Sequence, residues 1–181
     1  MATSSAATNK KDFPRAGVAT DGWSTEDEAT ATCFCGAVQL AFPTSGPGLV
    51  GSFVCNCADC HKITASMFAS NFIIADAHLK HLRGQSNLTS FGQSATTFRT
   101  GNKMTNYFCS TCGTLMYRIG SGFPGVSILR IGTVDDFSLH ETKLRPKQEW
   151  FGKQRHHRRR PPQAPARAIQ PHLLRAIRHH F

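Results

Sequence analysis

The sequence predicts an all-β domain, and three observations carry that prediction. Short runs of β-type residues recur along the middle of the chain, clusters of Gly, Pro and Asn punctuate them, and cysteines sit where turns would hold distant strands together. Val38, Leu40 and Phe42 alternate with Ala37, Gln39 and Ala41, the period-two pattern of a strand with one apolar face. The break from Pro43 to Gly48 ends it, and Leu49 to Val54 gives the next candidate. A small helical turn is expected after Cys57, then a strand from Met67 to Ile74 and a second turn near Ala75 to Lys80. Beyond the break at Gly84 to Asn87 come Leu88 to Phe91 and Thr96 to Arg99, with Gly101-Asn102 closing them. Met104 to Phe108, Thr114 to Ile119 and, after Gly120 to Gly125, Val126 to Ile131 complete the set.

Composition divides the chain into three. Residues 1 to 28 are rich in Ser, Thr and Ala with few spaced apolar residues, and read as a disordered leader. The domain is expected over residues 29 to 151, and a basic Arg/His/Pro-rich tail over residues 152 to 181. The formal charge of +10 is confined to the chain's end. Residues 1 to 142 hold ten Lys/Arg against ten Asp/Glu, whereas residues 143 to 181 hold eleven Lys/Arg and a single acid, Glu149. Attraction of nucleic acid by such a tail would be non-specific and says little about the domain. No run approaches the roughly 18 apolar residues of a membrane span. With no signal-peptide core in residues 1 to 30, the expected location is the cytoplasm.

Seven cysteines carry the chemistry, in three clusters: Cys33-x-Cys35-Gly36, Cys55-x-Cys57-x-x-Cys60 and Cys109-x-x-Cys112-Gly113. Disulfides are an alternative, but the count is odd and neighbours in a C-x-C are poorly placed to bridge each other. A thioredoxin-like role for Cys109 and Cys112 needs a helix after the motif, where Thr114 to Ile119 reads as a strand. Metal-ligand spacing is the simplest account, and zinc the metal it suggests. Four thiolates close a tetrahedral zinc site; three leave a position open. Cys109-x-x-Cys112 has the spacing of a tight turn in which Gly113 takes positive φ. Cys33-x-Cys35, read as extended chain, puts both sulfurs on one face. Together these two pairs form a structural site. Cys55, Cys57 and Cys60 have no fourth cysteine left. Asp59, His61 or a distant side chain would make this a second structural site; an open position would instead suit a thiol as nucleophile.

With these residues assembled, the chain resembles the glutathione-dependent formaldehyde-activating enzyme and centromere protein V family. The resemblance rests on the three cysteine motifs, on His61-Lys62 and Ser66-Met67-Phe68 after the second, on Phe108 and Thr114 around the third, and on Gly132-Thr133-Val134-Asp135-Asp136. It implies a β-tent fold and two zinc ions per chain. One is structural, on Cys33, Cys35, Cys109 and Cys112; the other is labile and catalytic, on Cys55, Cys57 and Cys60. It further implies carbon–sulfur lyase activity on glutathione or another small thiol and an aldehyde, with S-hydroxymethylglutathione formation as the name-giving reaction. The alternative is a non-catalytic zinc module that binds a protein or nucleic acid with help from the tail.

Two departures from the family stand out. Thr64-Ala65-Ser66 replaces a stretch that in many members holds a glycine, and Phe151-Gly152-Lys153-Gln154-Arg155 leads into sequence unlike the family's Trp-containing continuation. The tail is therefore expected to lie outside the domain, as a basic extension or as the product of a shifted frame or retained intron. His61 and Lys62 are weaker candidates for proton transfer and carboxylate steering, and Arg99, Asn102 and Tyr107 for lining a cleft.

Overall fold

The structure, a computed structural model, describes residues 17–93 and 102–155. Its strands are β1 (Glu28–Thr32), β2 (Gln39–Pro43), β3 (Leu49–Cys55), β4 (Ala69–Ala75), β5 (Lys80–Arg83), β6 (Leu88–Gln93), β7 (Met104–Cys109), β8 (Leu115–Gly120), β9 (Val126–Arg130) and β10 (Gln148–Trp150). Two short helices join them, α1 (Ala58–Thr64) and α2 (Ser138–Glu141). The fold is all-β with short helical turns. A small sheet has the order β1-β2-β5 and a large one the order β10-β3-β4-β9-β8-β7-β6. All the pairings are antiparallel except β10 with β3, which is parallel.

Two cores follow from strand alternation. Leu40 and Phe42 of the small sheet pack with Phe72, Ile74 and Leu129 of the large one, and Phe42 and Phe72 meet at a ring-centroid distance of 4.7 Å. Burying each such phenylalanine contributes about 1.5–3 kcal/mol. The next residue along each strand faces the other way. Ile73 and Ile128 therefore join Phe53, Cys55, Cys57, Cys60 and Ala69 in a second, smaller core on the far face of the large sheet.

Several elements differ from the sequence's expectation. β1 reads Glu-Ala-Thr-Ala-Thr and shows no apolar alternation, yet Thr30 and Thr32 are buried because their hydroxyls donate to Asp135 Oδ2 at 2.5 and 2.7 Å. That contact also gives the Gly132-to-Asp136 stretch a structural role. The turn expected near Ala75 to Lys80 is only one 3-10 turn, Asp76–His78, before β5 begins. β4 starts at Ala69, two residues after the expected Met67. β10 is too short to show a period and is fixed by its partner β3. The candidate strand Thr96 to Arg99 lies outside the described residues, as do the leader through residue 16 and the tail from residue 156. Within the expected leader, residues 17 to 28 are ordered against the domain. Val18 N donates to Phe34 O at 2.8 Å, Trp23 N to Thr30 Oγ1 at 2.9 Å, and Arg83 forms an ion pair with Asp21. At the other end Arg155, inside the expected tail, pairs with Glu149 of β10.

Candidate metal centres and the cleft beside them

The seven thiols are all unbridged and form two groups, within each of which the sulfurs lie within 4.8 Å of one another. The first joins Cys33 and Cys35, beyond the end of β1, to Cys109 and Cys112 at the β7–β8 turn. It therefore links the small sheet to the large one. Cys33 and Cys35 do not lie in extended chain as the spacing suggested. They flank a tight turn in which Gly36, at φ +81°, donates its N–H to Cys33 O at 2.9 Å. The third motif makes a turn one residue wider, with Gly113 at φ +74° donating to Cys109 O at 2.8 Å. Positive φ without a Cβ clash is what glycine supplies at both places.

The donor set fits a tetrahedral thiophilic cation. Sulfurs about 2.3 Å from a zinc ion stand about 3.8 Å apart, and Cys33–Cys35 and Cys35–Cys109 are separated by 3.6 and 3.7 Å. Val38 N–H donates to Cys33 Sγ at 3.2 Å and the Asn87 amide to Cys109 Sγ at 3.3 Å. Burial pushes the Cys33 thiol up to about 12. Burial also opposes ionisation of Cys112, but hydrogen bonds from Thr114 and from the Cys35 backbone outweigh it and bring that thiol to about 6. Thiols this close oppose one another's ionisation unless a cation lies among them.

The second group stands at the end of β3 and the start of α1. Cys57 caps the helix, its sulfur accepting from Cys60 N at 3.3 Å. Cys55, Cys57 and Cys60 are all buried, at 1%, 7% and 0% exposure, whereas Cys35 and Cys112 of the first group are only half-buried. Hydrogen bonding with Cys57 and Cys60, reinforced by burial, drives Cys55 strongly upward. Hydrogen bonds from Cys55 and Cys57 pull Cys60 down to about 2, with the charges of Arg118 and Arg130 acting in the same direction. Among the described residues neither Asp59 nor His61 joins the group, so no side chain completes it to four. The loop is clamped from outside: Asn56 N donates to Trp150 O at 3.1 Å, Asn56 Nδ2 to Glu149 Oε1 at 2.9 Å, and Trp150 stacks on Phe53 at 3.8 Å.

α1 ends on Ala65, which takes a left-handed conformation at φ +49° while its N–H reaches back to His61 O and Lys62 O. Ala65 thus holds a backbone conformation that glycine adopts more readily.

Between α1 and the β7–β8 turn lies a cleft of about 390 Å³, walled by Ile63, Phe68, Phe108 and Leu115, with Arg130 and Thr133 also lining it. Arg130 belongs to a polar row that the sequence reading missed. Asn71 opposes Arg130 across β4–β9, and Asn106 opposes Arg118 across β7–β8. All four are buried, on the sheet face that carries Cys55. Arg118 Nη1 donates to Cys60 Sγ at 3.4 Å, and Arg130 Nη1 donates to Asn71 Oδ1. Burial, then the charge of Arg118, lower Arg130 to about 10, against the opposing pull of Cys60. The missed signal was an arginine within each of two otherwise apolar runs, Tyr117-Arg118-Ile119-Gly120 in β8 and Leu129-Arg130-Ile131-Gly132 at the end of β9. A charge buried in a strand needs a counter-charge. Of the expected lining residues, Tyr107 instead packs against the first core and stacks on Tyr117 at 4.7 Å, Asn102 is exposed, and Arg99 lies outside the described residues.

An all-β domain with two thiol groups of metal-binding geometry is the class of protein defined so far. The family model described as glutathione-dependent formaldehyde-activating enzyme matches residues 28–154, and the chain belongs to that family. No curated protein matches it. Among solved structures, a crystal structure of a Rhodobacter sphaeroides protein, a structural-genomics target, is similar at 23% identity and a TM-score of 0.45, covering 57% of this chain and 85% of that one. No helix among the described residues is long and apolar enough to cross a membrane.

Proposed function

We propose that this protein is a zinc-dependent carbon–sulfur lyase-type enzyme that joins a small thiol such as glutathione to an aldehyde such as formaldehyde, and reverses that reaction. Cys33, Cys35, Cys109 and Cys112 hold a structural zinc, and Cys55, Cys57 and Cys60 a labile one. The observation that carries this reading is the contrast between a group of four thiols and a group of three, near a cleft, that no further His, Cys, Asp or Glu joins among the described residues. When bound at the three thiols, zinc supplies a cationic centre that favours the ionised form of an incoming thiol. The domain over residues 29 to 151 contributes the rest. Cys57 and Cys60, fixed by the first turn of α1, set the spacing of the thiols, and the β10 clamp holds the loop that carries them. Ile63, Phe68, Phe108 and Leu115 give the nearby cleft an apolar wall. In the forward direction the substrate sulfur forms a bond to the carbonyl carbon, the C=O π pair moves to oxygen, and that oxygen takes up the proton the thiol gave up. No electrons are exchanged with an outside donor. Seven unbridged cysteines suit a reducing compartment, which supports a cytoplasmic location.

Exchange NMR of glutathione with formaldehyde tests the reading. Zinc-loaded protein should accelerate exchange between free and hydroxymethylated glutathione over buffer; equal rates would overturn it.

A further inference from the structure

Apolar surface that neither core uses lies beside the three-thiol group. The two cores gather most of the buried apolar side chains, yet Ile63, Phe68, Phe108 and Leu115 belong to neither. Phe68 is 42% exposed and the other three are half-buried. Apolar residues scattered singly over a surface need no explanation, but these four converge on one cleft of about 390 Å³. The cleft adjoins the thiols through shared residues. Ala69 in its wall pairs with Cys55 across β3–β4 and packs with Cys55, Cys57 and Cys60. Thr64, also lining it, donates from Oγ1 to Cys60 O at 2.7 Å.

Size and chemistry restrict what the cleft takes. Its volume is in the range of small-molecule sites, about 300–1,000 Å³. Formaldehyde is little larger than a water molecule, whose share of the liquid is about 30 Å³, and would leave most of the cleft empty. The body of glutathione fits poorly for another reason: it carries two carboxylates and an ammonium. Among the described residues no acid and no lysine lines the cleft, and Arg130, its one charged residue, is 6% exposed and already donates to Asn71 Oδ1. The hydroxyls of Thr64 and Thr133 are turned to backbone oxygens, at 2.7 Å to Cys60 and 2.8 Å to Arg130. An apolar group is what remains.

We propose that the carbonyl partner is an aldehyde with a branched aliphatic or aromatic substituent, and that the cleft houses this substituent while the charged body of glutathione stays outside it. The inference rests on the functional reading above and names the substrate class of the same site. The bonds are those of the proposed reaction: sulfur joins the carbonyl carbon and the oxygen takes up the thiol's proton, with the substituent in place of one hydrogen of formaldehyde. Gly132 marks where selection by size acts. Its φ lies outside the left-handed region and a side chain there would meet no atom within 4 Å, so a larger residue has room at the cleft wall without straining the backbone.

The test is exchange NMR with the zinc-loaded full chain and glutathione, comparing acceleration over buffer for formaldehyde, isovaleraldehyde and phenylacetaldehyde. Both larger aldehydes should be accelerated about tenfold or more beyond formaldehyde, since a single methylene in an apolar pocket discriminates by about that much. Gly132→Leu, which fills the cleft, and Phe68→Ala, which strips an exposed wall, should each cut that preference by about tenfold. Toluene, which cannot react, should shift the Ile63 and Leu115 methyl resonances of unmodified protein and compete with phenylacetaldehyde. Formaldehyde accelerated as strongly as the larger aldehydes would overturn the inference and leave the functional reading standing. So would an unchanged preference in both folded variants, or a gain that follows an apolar thiol, phenylmethanethiol with formaldehyde, in place of an apolar aldehyde. Absence of the toluene shifts would do the same even if neither variant folds. No acceleration with any of the three aldehydes would instead overturn the functional reading, and the inference with it.

Discussion

The two thiol groups are built from one kind of side chain and differ in how the fold assembles and surrounds them. The four-thiol group is contributed by segments far apart in sequence, Cys35 and Cys109 being 74 residues apart, and it packs against the first core where the two sheets meet. The three-thiol group comes from six consecutive residues, sits in the second core, and rests on buried arginines. In the proposed function the long-range group acts as a tether, and the local group, beside buried arginines, is a site whose occupancy can change without the sheets coming apart.

The largest expected effect breaks the tether. Cys112→Ser leaves the four-thiol group a ligand short, and metal binding at such a site contributes on the order of 10 kcal/mol to folding. The variant should be insoluble, or lack the native β spectrum by circular dichroism. Cys57→Ser should keep that spectrum while thiol-dependent exchange falls by about tenfold or more, the outcome for loss of a ligand beside the chemistry. If both variants unfold alike, the second group is structural too. A gentler form of the same comparison is metal removal: zinc-loaded protein should hold two ions per chain, and mild chelation should take one while the fold persists. Metal analysis giving a single resistant ion, unchanged in Cys57→Ser, would erase the distinction. The smallest effect concerns Ala65. A left-handed alanine costs about 1–2 kcal/mol, part of which glycine gives back through its freer unfolded chain. Ala65→Gly should therefore raise the thermal midpoint modestly, by about 0.5–1 kcal/mol of stability, and a lower midpoint would show that the helix end is not strained.

Sequence revealed the cysteine groups more fully than the surroundings that set them apart. Cysteine spacing announces itself, and β2, β3 and β7 to β9 follow from apolar runs between turns. β1 did not, because Thr30 and Thr32 are buried by hydrogen bonds to Asp135, a partner more than a hundred residues away. β10 did not, because three residues show no period and their place is set by β3. The turn at Cys33 to Gly36 was taken for extended chain because both conformations bring the two sulfurs to one side. Arg118 and Arg130 passed as ordinary strand residues, since their meaning depends on pairing register: only when β8 lies beside β9 do both arginines occupy the face that carries Cys60.

The clamp over Asn56 has a consequence in the order of synthesis. Its partner Trp150 lies 94 residues further along, on the last of the described strands to leave the ribosome. Cys55, Cys57 and Cys60 emerge early, yet the loop bearing them is fastened only after β10 has been made and has paired with β3. The four-thiol tether is complete once Cys112 emerges, well before that strand. In the proposed function its metal can therefore be captured before the three-thiol loop has reached its final shape, so that the structural ion enters first and the labile one second.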